Sequence, residues 1–157
     1  MEAEELERIV RQYTPHIYRL AYVRTGSRAD AEDVTQEVFL RLVRTGQEFQ
    51  SETHCRAWLL RVAANCANDL FRTPWRRYTQ PLTGEVPARE PEGEPVLEAV
   101  MNLPVKYRLP IHLYYYEGMD VSEIARALGI GRSAVKTRLF RAREMLRSQL
   151  EGGEAHV

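Results

Sequence analysis

The stretch VSEIARALGIGRSAVKTRLFRAREM, residues 121–145, decides the kind of fold that this chain adopts. Ala125 leaves room for two helices to approach closely, and Gly129 can supply the left-handed turn between them. Val135 follows six residues after this glycine and can pack the second helix against the first. The spacing is typical of a helix-turn-helix, although an ordinary helical hairpin with a glycine turn would show it too.

The second helix of this motif has two different faces. An apolar stripe can pack on the first helix: Val135, Leu139, Ala142 and Leu146. Off that stripe lie side chains that can reach base edges in a major groove: Arg132, Ser133, Lys136, Thr137, Phe140 and Arg141. Three further arginines are better placed to meet phosphate: Arg138, Arg143 and Arg147.

The charge of this helix favours DNA contact over an ordinary solvated surface. Residues 131–147 carry six basic side chains against Glu144 alone, a net charge of +5. A solvated face does not easily explain five uncompensated charges, nor a phenylalanine at 140 that lies off the core. We therefore predict that the helix binds DNA.

The rest of the chain suggests two domains. The 157 residues carry 22 basic and 22 acidic side chains, but residues 80–100 have one basic group against five acidic groups. Proline and glycine are frequent between 74 and 95, and proline continues neither a helix nor a central strand. We predict a domain over 1–79, a flexible acidic linker over 80–95, a helix-turn-helix domain over 96–150 and a tail over 151–157.

No stretch alternates convincingly with period two, so we predict an all-α fold of two small helical domains. In the first domain the pattern predicts helices over 3–25, from Ser27 to Gly46 and over 56–72, with a polar loop over 49–53. In the second it predicts helices over 96–101, 104–115, 120–128 and 132–149. Pro15 is expected to break or kink the first helix, and Pro110 to interrupt the helix over 104–115.

Acidic and amide side chains crowd the start of the second helix, and Leu40 points away from its buried stripe. The polar set is Asp30, Glu32, Asp33, Gln36 and Glu37. Acids in a first turn interact favourably with the helix dipole, which explains part of the pattern. An acidic face with an exposed leucine also suits a basic protein partner.

Cations and aromatic rings mix after the third helix: Arg72, Trp75, Arg76, Arg77 and Tyr78. The mix fits phosphate contact and base stacking. It fits equally well a plain helix C-terminus, where arginine complements the dipole, so the sequence leaves both explanations open.

The sequence argues against several other classes of protein. No apolar run approaches the ~18 residues of a membrane-spanning helix, and the acidic start does not suit a signal peptide. We therefore expect a cytoplasmic protein with no membrane insertion, in which Cys55 and Cys66 stay reduced. We find no phosphate-binding glycine loop and no metal-ligand or His/Cys constellation, so we expect no enzyme, no metal and no cofactor.

Three stretches resemble the extracytoplasmic-function sigma factors, the compact two-domain kind of bacterial RNA polymerase sigma subunit. AEDVTQEVFL, residues 31–40, resembles the family's core-polymerase-binding helix. WLLRVAAN, residues 58–65, followed by Asp69 and Arg72, resembles the helix that opens and reads the minus-ten element. The segment from Leu103 through YYYEG (114–118) and EIA (123–125) to VKTRLFRAR (135–143) resembles the minus-thirty-five reader.

The resemblance implies roles for individual residues. Those that would face core polymerase are Asp33, Gln36, Glu37 and Leu40. Those that would hold a flipped base and the adjacent minus-ten strand are Phe49, Arg61, Asn65 and Arg72. Those that would read the minus-thirty-five element lie on the helix after Gly131, namely Lys136, Thr137, Phe140 and Arg141. Trp58 is better explained as a core residue than as a base-stacking one.

The function implied is that of a sigma factor, which directs core RNA polymerase to promoters through binding rather than chemistry. Its expected partners are core RNA polymerase, promoter DNA and an anti-sigma factor, and the acidic linker would occupy a polymerase channel that otherwise takes nucleic acid. From the residues alone, a stand-alone helix-turn-helix regulator is the alternative. Such a regulator usually needs a dimer surface or an effector domain, and neither is clear in this sequence.

Overall fold

The computed structural model describes residues 1–70 and 94–155, which contain helices and no strand, so the predicted all-α class is confirmed. The chain divides into two compact units, Met1–Ala88 and Arg89–Val157. Most of the predicted linker lies outside the described residues, as do Arg72 and the cluster at 75–78, so the domain boundaries stay predictions. No helix of the described part is long and apolar enough to span a membrane.

The described residues of the first unit, 1–70, form three helices, each of which packs against the other two. They are α1 (Ala3–Thr25), α2 (Arg28–Thr45) and α3 (Glu52–Leu70). The core is aliphatic, with these large side chains almost fully buried: Ile9, Ile17, Leu20, Leu42, Leu59 and Leu60. Ser27 caps α2 by accepting a hydrogen bond from the Asp30 N–H at 3.2 Å, as the sequence predicted.

Helix α1 continues through Pro15, so the predicted break is wrong. Proline cannot donate to the carbonyl four residues back, a loss that would cost an isolated helix about 3 kcal/mol. Here Pro15 is exposed, while Tyr13 and Ile17 on either side are buried in the core. Packing on both sides of the proline holds the helix together, and it ends only at Gly26, whose φ is 70°.

Helix α3 begins four residues before its predicted start, so Glu52 and Thr53 are helical rather than part of a loop. Ser51 supplies the cap: its Oγ accepts from the His54 N–H at 3.1 Å, and its carbonyl accepts from the Cys55 N–H at 3.0 Å. A serine before the helix is a common start signal, and the sequence analysis missed it.

The second unit contains four described helices: α4 (Pro95–Met101), α5 (Val105–Tyr115), α6 (Val121–Leu128) and α7 (Arg132–Ala155). Helix α5 is not interrupted at Pro110, because the proline is buried between Leu109 and Ile111 in the core. Helix α7 runs beyond the predicted end at 149 and through both glycines at 152 and 153, so the predicted tail is partly helical.

Helices α6 and α7 form the predicted helix-turn-helix. Asp120 and Glu123 make a reciprocal capping box, in which each side chain accepts a hydrogen bond from the other residue's backbone N–H, at 2.8 and 3.0 Å. Gly129 ends α6 with a φ of 67°, and its N–H donates to the Ala125 carbonyl at 2.9 Å. Val135, the side chain expected to pack the two helices together, is 0% exposed, and so is Ile124 on α6.

Replacing Gly129 with alanine is expected to destabilise the second unit by about 1–2 kcal/mol. A Cβ at Gly129 would meet nothing within 4 Å, so the whole cost comes from the left-handed backbone. Native-state hydrogen exchange of the buried α7 amides measures the loss. The matched control is Gly131→Ser, since Gly131 lies at the start of α7 in open space without a left-handed φ, and serine is a favourable capping residue. Equal losses in the two variants would contradict this account.

Candidate nucleic-acid and protein interfaces

The exposed face of α7 is the first candidate interface. All six side chains predicted to contact bases are exposed, and Phe140 keeps 63% of its surface accessible. Three of the four residues of the opposite stripe are buried, with Val135 and Ala142 at 0% and Leu139 at 2% exposure, whereas Leu146 is half-buried. Six neighbouring positions of one helix therefore present cations, hydroxyls and an aromatic ring together: Arg132, Ser133, Lys136, Thr137, Phe140 and Arg141.

Arg141 also contacts the body of the second unit. It lies close to the hydroxyl of Tyr107 on α5, and its proximity, followed by the charge of Lys106, lowers the pKa of Tyr107. The Lys106 ammonium lies 5.1 Å from the centre of the Tyr107 ring. Arg141 therefore lies near α5 although its side chain is exposed.

Arg143 is engaged more closely than the sequence suggested. Its Nε donates to the Tyr115 hydroxyl at 2.8 Å, and its guanidinium lies 5.2 Å and 5.7 Å from the ring centres of Tyr114 and Tyr115. The two rings meet edge to face at 4.9 Å. Of the three arginines assigned to phosphate, Arg143 is thus held by α5, and Arg147 pairs with Glu144 at 3.5 Å.

Helix α2 presents the second candidate interface. Asp33 and Gln36 are exposed, and beside them Leu40 and Val43 are 49% and 59% exposed. Val43 was not among the predicted residues, although it lies three residues after Leu40 and shares its face on a helix. The acidic group is smaller than predicted, because Asp30 is only 2% exposed and belongs to the interior.

Glu37 has cationic partners on its own helix. Its carboxylate lies 3.0 Å from Arg41 and 3.7 Å from Arg44. Because these charges compensate it, Glu37 contributes less unbalanced negative potential to this face than Asp33 does.

Three aromatic rings form the third candidate site, at the start of α3. The Phe49 ring meets His54 at 5.3 Å and Trp58 at 5.8 Å between centres, both edge to face. The Gln50 N–H donates to His54 Nδ1 at 3.2 Å, which ties the loop to the helix. Arg61 and Asn65 are exposed farther along α3, at the helical spacing of His54 and Trp58.

The sequence analysis did not assign His54 to this cluster, and it placed Trp58 in the core. Trp58 is in fact half-buried, with its ring against Phe49. The four-residue spacing of 54 and 58 was the available signal. Arg72, which the resemblance added to this set, lies outside the described residues.

Glu52 connects α1 to the helix that carries this cluster. The Tyr13 hydroxyl donates to it at 2.7 Å, and an Arg8 nitrogen lies 2.9 Å away. The bond from Tyr13, with the help of the Arg8 charge, lowers the pKa of the Glu52 carboxyl. Because its pKa is lower in the folded chain, ionised Glu52 stabilises the fold at pH values above the ordinary glutamate pKa. This contribution is lost as the pH falls through the pKa that Glu52 has in the folded state.

Both cysteines are free and buried. Burial, with a smaller effect of Glu52, raises the pKa of the Cys55 thiol to about 11, and burial also raises the pKa of Cys66. The thiolate is the reactive form, so neither residue is suited to react at neutral pH. Among the described residues, no group of side chains could hold a metal ion.

We expect both thiols to react with iodoacetamide at pH 8 at least about 100-fold more slowly in the folded chain than in urea. Mass spectrometry after timed alkylation measures both rates, and the denatured sample is the control. Alkylation of the folded chain at the rate of free cysteine would refute this description.

The raised pKa of Cys55 also affects stability. The neutral thiol stabilises the fold at pH values below the ordinary thiol pKa, and this contribution is lost as the pH rises toward about 11.

Two family models match the chain, Sigma-70 region 2 over residues 9–77 and Sigma-70, region 4 over residues 93–146. The chain is 34% identical over 157 residues to ECF RNA polymerase sigma factor SigE of Mycolicibacterium smegmatis, which covers 92% of this chain and 61% of that protein. It is 32% identical over 164 residues to ECF RNA polymerase sigma factor SigW of Bacillus subtilis, and this alignment covers 90% of this chain and 87% of that protein.

A solved structure shares the fold. The sigma factor RpoE from Bartonella quintana, determined in complex with the anti-sigma factor NepR, matches with a TM-score of 0.72 at 21% identity, covering 95% of this chain and 98% of that chain. The two family models match separate helical units of this chain. With the similarity to SigW, they confirm the resemblance seen in the sequence: the chain belongs to the extracytoplasmic-function (ECF) family of RNA polymerase sigma factors.

Proposed function

We propose that this chain is a promoter-recognition subunit that binds bacterial core RNA polymerase and directs it to specific promoters. The observation that carries the proposal is the presence, in one chain, of a region 2 match on the first unit and a region 4 match on the second. The subunit acts by binding and not by bond chemistry, and it needs no cofactor. It works where the polymerase works, in the cytoplasm.

Helix α7 reads the minus-thirty-five duplex in its major groove. Phe140 supplies an apolar contact for a thymine methyl group, and Lys136 and Thr137 supply a cation and a hydroxyl for base edges. Arg138 and the other cations at the edge of this face add phosphate contacts, which fix the register but carry no sequence information. The exposure of all six predicted residues supports this assignment.

The aromatic cluster at the start of α3 binds the melted minus-ten strand. Extracting a base from the duplex costs a few kcal/mol of stacking and pairing, which the pocket must offset. The rings of Phe49 and His54 offer stacking surfaces, and Arg61 and Asn65 offer polar contacts to a base or to the backbone. Arg72 is assigned to the same strand on its sequence position alone.

The α2 face docks on core polymerase. Leu40 and Val43 form an apolar centre, and Asp33, Gln36 and Glu37 form a polar rim of negative character. Such a rim suits a basic partner surface, because complementary charge steers the encounter and the apolar centre slows dissociation. Asp33 contributes more than Glu37, whose charge Arg41 and Arg44 compensate.

Two further features complete the proposal. Since the Bartonella quintana relative is described in complex with an anti-sigma factor, we propose that a protein inhibitor of that class controls this chain too. The acidic residues between 80 and 95 occupy a nucleic-acid channel of the polymerase, where their carboxylates replace phosphates.

Docking on core polymerase is tested by gel filtration. The wild-type chain is expected to co-elute with core enzyme, and Asp33→Arg combined with Gln36→Ala is expected to weaken the complex about tenfold or more, since a cation would then face a basic surface. Glu4→Arg, the same charge reversal on the exposed start of α1, is the control and should bind normally. Failure of the wild-type chain to co-elute, with tight binding to duplex DNA by itself, would sink the proposal.

Transcription from genomic fragments with core enzyme then defines the promoter, and variants of α7 test how it is read. Phe140→Ala is expected to reduce discrimination at one minus-thirty-five base pair while leaving the salt dependence of binding unchanged. Lys136→Ala is expected to lower affinity by about 1–3 kcal/mol. Because the variant also removes a positive charge from the DNA-facing side of α7, it is expected to reduce the slope of log K against log salt by about one. Binding measured by fluorescence anisotropy gives both quantities, and an inert Phe140→Ala would argue against base contact by this face.

A further inference from the structure

Arg143 lies at the edge of the α7 face, and its position differs from that of a phosphate-binding arginine. Like Arg138 it is half-buried, whereas Lys136, two helical turns earlier, is exposed, so the difference lies in its contacts and not in its exposure. Its Nε is bonded to the Tyr115 hydroxyl at 2.8 Å, and its guanidinium lies within 6 Å of two tyrosine rings. To reach a phosphate, the side chain would have to give up these contacts with α5.

The contact joins residues 28 positions apart, at the end of α5 and in the middle of α7. Arg141 leaves α7 on the other side of the helix, close to Tyr107 near the start of α5. The bond from Arg143 to Tyr115 ties one side of α7 to the end of α5. A contact made on the side of a helix, away from its axis, resists rotation of that helix about the axis.

Rotation of this helix matters because base contacts are intolerant of displacement. Side chains extend to about 5–6 Å from a helix axis, so a rotation of ~10° moves their contact atoms by about 1 Å. Hydrogen bonds are formed within a range of only about 0.5 Å. A small rotation would therefore misalign Lys136 and Thr137 together.

We propose that Arg143 is a positioning residue for promoter recognition: Tyr114 and Tyr115 hold its guanidinium, and this contact sets the rotation of α7 against the minus-thirty-five base pairs. The inference rests on the proposed function and deepens it. It removes Arg143 from the phosphate contacts that the sequence suggested and assigns it, with Tyr115, to sequence discrimination.

The test uses the holoenzyme formed with core polymerase and a promoter identified by transcription. Four variants are compared: Arg143→Ala, Arg143→Lys, Tyr115→Phe and, as a charge-loss control on the same helix, Arg138→Ala. For each, the affinity is measured at several salt concentrations, and again on a promoter with one changed minus-thirty-five base pair. The melting temperature of each variant is recorded, so that loss of folding is recognised.

We expect Arg143→Ala to lose about tenfold in affinity, and Tyr115→Phe about threefold, with the salt slope of the wild type. In both, the ratio of affinities for the cognate and changed promoters is expected to fall. Arg143→Lys keeps the positive charge but loses the planar guanidinium group, so it should not restore discrimination between the cognate and changed promoters. Arg138→Ala should instead lower the salt slope by about one and leave the ratio unchanged.

Opposite results would overturn the inference. A salt slope reduced by about one in Arg143→Ala, rescue by lysine and an inert Tyr115→Phe would assign Arg143 to phosphate. If Arg143→Ala lowers the melting temperature but leaves the ratio of affinities for the two promoters unchanged, the contact between Arg143 and Tyr115 stabilises the fold and has no role in discrimination. Failure of the wild-type holoenzyme to form would defeat the proposed function itself, so the two failures are distinguishable.

Discussion

Burial of one narrow stripe on α7 holds the second unit together. Val135, Leu139 and Ala142 are at most 2% exposed, because they pack against the neighbouring helices of the unit. Burying a large aliphatic side chain stabilises a fold by about 1.5–3 kcal/mol, and a unit this small contains few of them. The stripe therefore fixes which side of α7 faces inward. Most of the remaining helix surface is exposed to solvent, and it carries Phe140, Lys136 and other cations.

The same division organises the first unit. Helix α2 buries Val34, Val38 and Leu42 and leaves Asp33 and Leu40 outside. In both units, the residues that fold the chain and the residues assigned to partners alternate along a single helix. A substitution on the outer face is expected to affect binding with little effect on folding, so the two properties can be separated experimentally.

Local patterns predicted most of this architecture. Contacts distant in sequence account for part of what was missed, and the cap at Ser51 and the exposed Val43 were local signals that went unused. The capping box at Asp120, the cap at Ser27 and the turn at Gly129 depend on residues a few positions apart, so the sequence displays them. The helix breaks expected at Pro15 and Pro110 were wrong, since core packing on both sides of each proline outweighs the local cost.

The candidate sites follow the same rule. Helical period alone identified the outward residues of α7 and most of those on α2, and it failed for Asp30, which the core buries. It could not reveal that Arg143 would meet Tyr115, because that contact depends on how α5 packs against α7. The aromatic cluster at the start of α3 was found only in part, because the contact of Trp58 with Phe49 requires the loop geometry.

The exposed Leu40 and Val43 have a consequence for the chain before it meets a partner. Two neighbouring aliphatic side chains, each about half accessible to water, form a small exposed apolar patch on the unbound chain. Any association that covers these two side chains removes apolar surface from water, so this part of α2 contributes favourably to binding whatever the charges around it do.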